Sequence, residues 1–170
     1  EDVTNYEKLG PYISKADIVF PLAAIVGFPA CEGNTNLAWN VNFYQQVFIK
    51  DKTNKGQMVV FPTTNSGYGI GQEGIFCDEN TPLNPISMYG QTKVKAEELW
   101  LKSNRAVTLR FATCFGISAR MRLDLLVNDF TYKALNDQYL VLFEKDFKPN
   151  FLHVAHAADA FLFAIDHYKD

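Results

Sequence analysis

Met58-Val59-Val60-Phe61 is a run of four apolar residues with no polar alternation. A strand with one wet face alternates apolar and polar side chains, so an unbroken run points to a strand covered on both faces, as in a parallel sheet flanked by helices. Pro62 has no amide to give to a ladder and is expected to close the strand. Working outward, Asp17-Ile18-Val19-Phe20, Ala106 to Phe111 and Tyr139 to Phe143 read as further strands. Segments of helical period lie between and beyond them. From about Asn36 to Lys50, Leu37, Val41, Tyr44 and Phe48 recur at spacings of four, three and four; Ser87 to Ser103, Leu123 to Leu135 and His156 to Tyr168 read the same way. Thr4 with Glu7 forms a capping box for a short first helix that Gly10-Pro11 is expected to interrupt. Strands alternating with helices predict one α/β unit with parallel strands joined by helical crossovers.

The 170 residues carry 16 Lys plus Arg against 19 Asp plus Glu, a net charge of −3 with no block of like charges, which offers no footprint for nucleic acid. With 48% hydrophobic and 21% charged residues, the chain is expected to bury a sizeable core. Cys31, Cys77 and Cys114 are odd in number and lack CxxC pairing, which argues against a disulfide framework or a zinc site and fits a reducing, cytoplasmic compartment. The acidic start is not a signal peptide, and the most apolar uncharged stretch, Ile18 to Cys31, is broken by Pro21, Gly27 and Pro29, so no membrane association is expected. His153, His156 and Asp159 lie three apart, but no further ligand can be named and no metal is expected.

Gly69-Ile70-Gly71-Gln72-Glu73-Gly74 matches the letters of GxGxxG. A phosphate site of that kind needs a helix opening within the motif, whose first amides hold the anion. The residues that follow run through Pro82 and Pro85 and do not continue as a helix, so the stretch is read as a glycine-enriched loop.

Chemistry concentrates elsewhere. Tyr89 and Lys93, four apart, share one face of a helix with Cβ atoms about 5–6 Å apart. A phenol ordinarily titrates near 10, too high for proton exchange at neutrality, and an ammonium about 5 Å away at an effective dielectric of about 20 favours phenolate by about 3 kcal/mol. Thr64, just beyond the apolar strand, offers a hydroxyl to the same substrate oxygen.

Pro62-Thr63-Thr64-Asn65-Ser66-Gly67-Tyr68-Gly69 and Pro82-Leu83-Asn84-Pro85-Ile86-Ser87-Met88-Tyr89-Gly90-Gln91-Thr92-Lys93 together resemble the active-site block of the extended short-chain dehydrogenase/reductases, in the NAD-dependent sugar epimerase/dehydratase branch. Asp2-Val3, Leu22-Ala23-Ala24, Arg110 to Gly116 and Phe151-Leu152-His153-Val154 match further family segments in order, so the resemblance covers essentially the whole chain. It implies a Rossmann-like doubly wound parallel sheet, incomplete at the N-terminal side because the segment with GxxGxxG is not in this chain. Residues 1–116 are then the second half of the nucleotide-binding domain with the catalytic helix, and 117–170 a partial substrate-binding portion.

By the same resemblance, Tyr89 is the acid/base toward a sugar hydroxyl, Lys93 lowers its pKa and holds the nicotinamide ribose, and Thr64 assists. Asp2, Val3, Leu22, Ala23, Ala24 and Ala112, with Tyr89 and Lys93, line NAD, with NADP not distinguished from it. Thr113 meets a nucleotide-sugar substrate, and Asn40 or Asn42 fills the family's helix-asparagine role. Arg120 and Arg122, ahead of a helix, suit its diphosphate. Relatives that eliminate water carry acidic residues after the threonine; Asn65-Ser66 do not titrate near neutrality, which favours epimerisation. The alternatives are an NAD(P)-dependent sugar reductase of the same family and a non-catalytic derivative, the latter suggested by Pro149 and His156 where relatives often have Arg and Asp. A homodimer through a four-helix bundle would use the segments near Asn36 to Lys50 and Ser87 to Ser103, with Trp39, Phe43 and Trp100 either at that interface or in the core.

Overall fold

The computed structural model describes residues 2–71, 76–143, 146 and 149–168, and divides into two compact units, one ending at Arg110 and one beginning at Phe111. In the first, α1 (Tyr6–Ile13) leads to β1 (Ile18–Val19), the short helices α2 (Phe28–Gly33) and α3 (Thr35–Trp39), a π-helical turn (Asn40–Tyr44) and α4 (Gln45–Lys52). β2 (Met58–Thr64), a 3-10 turn (Asn65–Tyr68), α5 (Met88–Leu101) and β3 (Ala106–Phe111) follow. The strand order is β1-β2-β3, with β1 parallel to β2 in the register Ile18 with Met58 and Val19 with Val59. As the unbroken apolar run requires, Val59, Val60 and Phe61 are fully buried. Val59 and Phe61 pack with Ile13, Ile49, Ala96 and Trp100, flanked by Leu9, Phe43 and Phe48. Burying side chains of this size contributes about 2–3 kcal/mol each.

Three local expectations fail for identifiable reasons. β2 continues through Pro62 to Thr64. The Met58 amide donates to Asp17 and the Val59 amide to Arg105, so even-numbered amides face β1; β1 ends at Val19, and at position 62 no ladder bond is there to lose. α1 likewise runs through Gly10-Pro11, because Pro11 withholds its donor from the exposed Glu7, whose carbonyl water can serve. The cap of α1 is Asn5, whose Oδ1 accepts from the Lys8 amide at 3.2 Å, while Thr4 gives its hydroxyl to Asp2.

The second unit pairs β4 (Thr113–Phe115) in parallel with β5 (Phe151–His153), and adds α6 (Leu126–Asn136) and α7 (Val154–Asp166). Residues 139–143 are not a strand: Tyr139, Val141 and Phe143 are 67%, 56% and 85% exposed. An apolar β-forming run remains irregular unless another strand accepts its ladder, and among the described residues none does. β4 and β5, three residues each, are strands because they have each other. Among the described residues no helix is long and apolar enough to cross a membrane.

Candidate active site

The geometry is built from the junction of β2 with α5. Thr64 ends β2, is 6% exposed, and its Oγ1 accepts from the Ser66 amide at 3.1 Å, which starts the turn Asn65–Tyr68. α5 opens at Ser87, whose Oγ accepts from the Gly90 amide at 3.1 Å. Gly90 lets the helix come this close: a Cβ there would lie 3.0 Å from the Ser66 carbonyl oxygen and 3.0 Å from Pro85 Cβ. The first turn of α5, which carries Tyr89, is therefore seated against the turn that Thr64 caps.

Lys93, one turn after Tyr89, is 4% exposed, and its Nζ lies 4.0 Å from the centre of the Phe61 ring. Burial pushes its pKa down from 10.5 to about 7, with the nearby Glu97 carboxylate acting in the opposite direction. Among the described residues no protein acceptor takes a hydrogen bond from its three N–H donors. Tyr89 is half-buried, and its carbonyl accepts from the Thr92 hydroxyl at 2.9 Å.

Between the two possible asparagines the structure distinguishes sharply. Asn40 is exposed. Asn42 is fully buried in the π turn: Oδ1 accepts from the Ile25 amide at 2.8 Å, and Nδ2 donates to the Ile25 carbonyl at 3.0 Å and to Thr92 Oγ1 at 3.1 Å. One side chain thus fixes the loop after β1, with Leu22, Ala23 and Ala24, to the residue beside Lys93. A π turn shifts the helix face locally, a device frequent near functional sites.

Sequence reasoning missed Glu97 and Arg110 as a pair. Arg110 Nε donates to Glu97 Oε1 at 2.7 Å, and its Nη1 donates to the Tyr68 hydroxyl at 3.2 Å and the Glu79 carbonyl at 3.3 Å. The only available signal was a carboxylate four residues after Lys93 on a mostly buried helix. Trp100 is core: it is fully buried and its Nε1 donates to Gln46 Oε1 at 3.1 Å. Phe43 packs against that core and Trp39 is half-buried with its ring edge on Phe43.

Gly69 has φ +76°, and a Cβ there would meet the Asn84 carbonyl oxygen at 2.1 Å, which accounts for this glycine without an anion. Gln72 to Gly74 of the same hexapeptide lie outside the described residues. Asp2 is exposed and accepts from Thr4; Val3, Ala23 and Ala24 are half-buried and Leu22 exposed. In the second unit Ala112 and Thr113 are half-buried and Arg120 is exposed. Arg122 grips Asp124 in a two-pronged pair, Nε to Oδ1 at 3.1 Å and Nη2 to Oδ2 at 2.5 Å, which holds the Asp124 carboxyl below its usual range. His153 caps α7 with Nδ1 accepting from the Ala155 amide, and among the described residues no three His, Cys, Asp or Glu side chains form a metal cluster.

The family model for the NAD dependent epimerase/dehydratase family matches residues 1–170. An uncharacterized UDP-glucose epimerase, YtcB, of Bacillus subtilis is 32% identical over 143 residues, 79% of this chain and 44% of its own length. A UDP-glucose 4-epimerase of Thermotoga maritima, solved with UDP-glucose, superposes with a TM-score of 0.83 at 20% identity, over 96% of this chain and 57% of that one. A UDP-glucuronic acid 4-epimerase of Bacillus cereus, solved with UDP-glucuronic acid and NAD, gives a TM-score of 0.83 at 24% identity, over 99% of this chain and 55% of that one. The chain therefore spans about half the length of the relatives it matches, and shares their Rossmann-like α/β fold.

Proposed function

The chain belongs to the NAD dependent epimerase/dehydratase family, and from that premise we propose that it carries the catalytic part of an NAD-dependent nucleotide-sugar epimerase. The observation that carries this reading is the desolvated Lys93 one turn from Tyr89, on a helix seated against the turn capped by Thr64. The donor set fits the cofactor: a buried ammonium with three N–H groups uncommitted to protein suits the hydroxyls of a ribose. Lys93 and Tyr89 would hold that ribose, with Leu22, Ala23, Ala24, Asp2, Val3 and Ala112 as the remaining lining. NADP is not distinguished from NAD. When bound, the nicotinamide supplies hydride acceptance and return at the sugar carbon.

Tyr89 takes the proton of the sugar hydroxyl and returns it on the reverse step. The Lys93 ammonium favours the phenolate, and Thr64 donates to the same oxygen while its bond order changes. The absence of a titratable side chain at Asn65 and Ser66 supports oxidation with re-reduction over loss of water. Thr113 and Arg120 are the substrate contacts, and Arg122 joins them by exchanging Asp124 for a diphosphate. The pattern of three unpaired cysteines supports a reducing compartment, the cytoplasm. Exposed Leu37, Tyr44 and Leu101 on the segments near 36–50 and 87–103 support a homodimer through those helices.

Calorimetric titration with NAD tests the reading. Binding in the micromolar range is expected, weakened at least tenfold by Lys93→Ala, since a hydrogen bond from a charged group contributes about 1.5–3 kcal/mol. A folded chain that takes up no NAD refutes it.

A further inference from the structure

Glu97 lies one helical turn beyond Lys93 in α5 and is 2% exposed. A carboxylate so deeply placed needs compensation, and Arg110 accounts for one oxygen through its 2.7 Å bond to Oε1. The other oxygen, Oε2, is buried, and among the described residues no donor reaches it. On the helix, residues four apart have Cβ atoms about 5–6 Å apart, so the half-compensated carboxylate is the nearest fixed negative charge along α5 to the buried ammonium. Arg110 is itself tied to Tyr68 and the Glu79 carbonyl, which keeps Glu97 from turning away.

We propose that Glu97 is a positioning residue: held through Oε1 by Arg110, it supplies the charge that keeps Lys93 an ammonium inside a site whose burial favours the neutral amine. This deepens the proposed function, because the ammonium form is the one that stabilises a phenolate at Tyr89. The direction of the Glu97 influence on Lys93 agrees, opposing that of burial. Other titratable groups on the elements around α5 are committed elsewhere or lie at its ends. Glu32 of α2 accepts from the Met88 amide at the first turn, and Lys50 of α4 donates to the Leu99 carbonyl. Tyr68 bonds Arg110 and the Asp78 carbonyl, Cys31 gives its thiol to the Ile25 carbonyl, and Lys95 pairs with Glu98 on the exposed face.

The test is an NMR titration of Lys93, read from its Cε and Hε shifts in lysine-labelled chain and assigned by their loss in Lys93→Met. In the wild type the midpoint is expected near 7. Glu97→Gln keeps an oxygen for Arg110 Nε but removes the charge, and its midpoint should fall by about one pH unit or more. Glu97→Asp should fall between the two. A folded Glu97→Gln chain with the wild-type midpoint overturns the proposal; should that variant not fold, a wild-type midpoint in Glu97→Met, which also removes the charge, does the same. The titration uses the chain without NAD, so failure to bind NAD would refute the proposed function and leave this result standing on its own.

Discussion

Replacing Lys93 by Met should make the protein more stable while weakening its proposed cofactor site. The ammonium is buried and its pKa falls from 10.5 to about 7. At about 1.4 kcal/mol for each pH unit, holding the charged form there costs about 5 kcal/mol. Met is close in length and volume to the aliphatic part of lysine, so packing against Phe61 is retained. It forfeits the ammonium-ring contact, worth about 1–2 kcal/mol when desolvated, while the attraction to Glu97 is already contained in the shifted pKa. A net gain of about 3–4 kcal/mol near neutral pH remains, or about 6–16 °C in melting temperature for a chain of this size. The pH dependence carries the distinctive signature. Because the folded pKa lies below the unfolded one, the folded state binds fewer protons between about pH 7 and 10.5, and wild-type stability rises across that window. Below about 7 the penalty is complete. The advantage of Lys93→Met is therefore largest at pH 6 to 7 and shrinks toward pH 10. Urea unfolding of both chains at pH 6, 7, 8.5 and 10 reads this directly. A variant less stable than wild type at pH 6, or a difference that does not change with pH, would refute the claim that the buried charge is what the site must overcome.

Asn42→Ala removes three hydrogen bonds at once, leaving the Ile25 amide without its side-chain partner and the Ile25 carbonyl with only the Cys31 thiol. The expected loss is about 3 kcal/mol by thermal or urea denaturation, and a loss under about 1 kcal/mol would mean that the loop after β1 is held by something else. Gly90→Ala should cost about 1–3 kcal/mol despite alanine's better helix propensity, since its Cβ meets the Ser66 carbonyl and Pro85 at 3.0 Å. Gly33→Ala, where nothing lies within 4 Å, serves as the control and should be neutral or slightly stabilising in the same melts.

How much was legible beforehand follows the reach of each interaction. The apolar run at 58–61 and the amphipathic periods at 36–50 and 87–103 name their own dihedrals, so β2, β3, α5 and the helical stretch from α3 through the π turn to α4 emerge from local pattern. The spacing of Tyr89 and Lys93 is likewise local, since four residues on a helix share a face whatever surrounds them. At the start of α1 the departures are local, set by an exposed Glu7 carbonyl and by Asn5 capping in place of Thr4, but the other failures involve a partner distant in the chain. Pro62 stays in the strand because of where β1 ends. Residues 139–143 remain irregular because no strand among the described residues adjoins them. The choice of Asn42 over Asn40 rests on Ile25 and Thr92, which are 17 and 50 residues away. Periodicity by itself thus determined the elements and put the phenol and the ammonium on one face. Only the tertiary structure decided how dry the ammonium is, that Trp100 belongs to the core, and that Glu97 is held by Arg110 of β3, because burial and charge pairing depend on which distant surfaces meet.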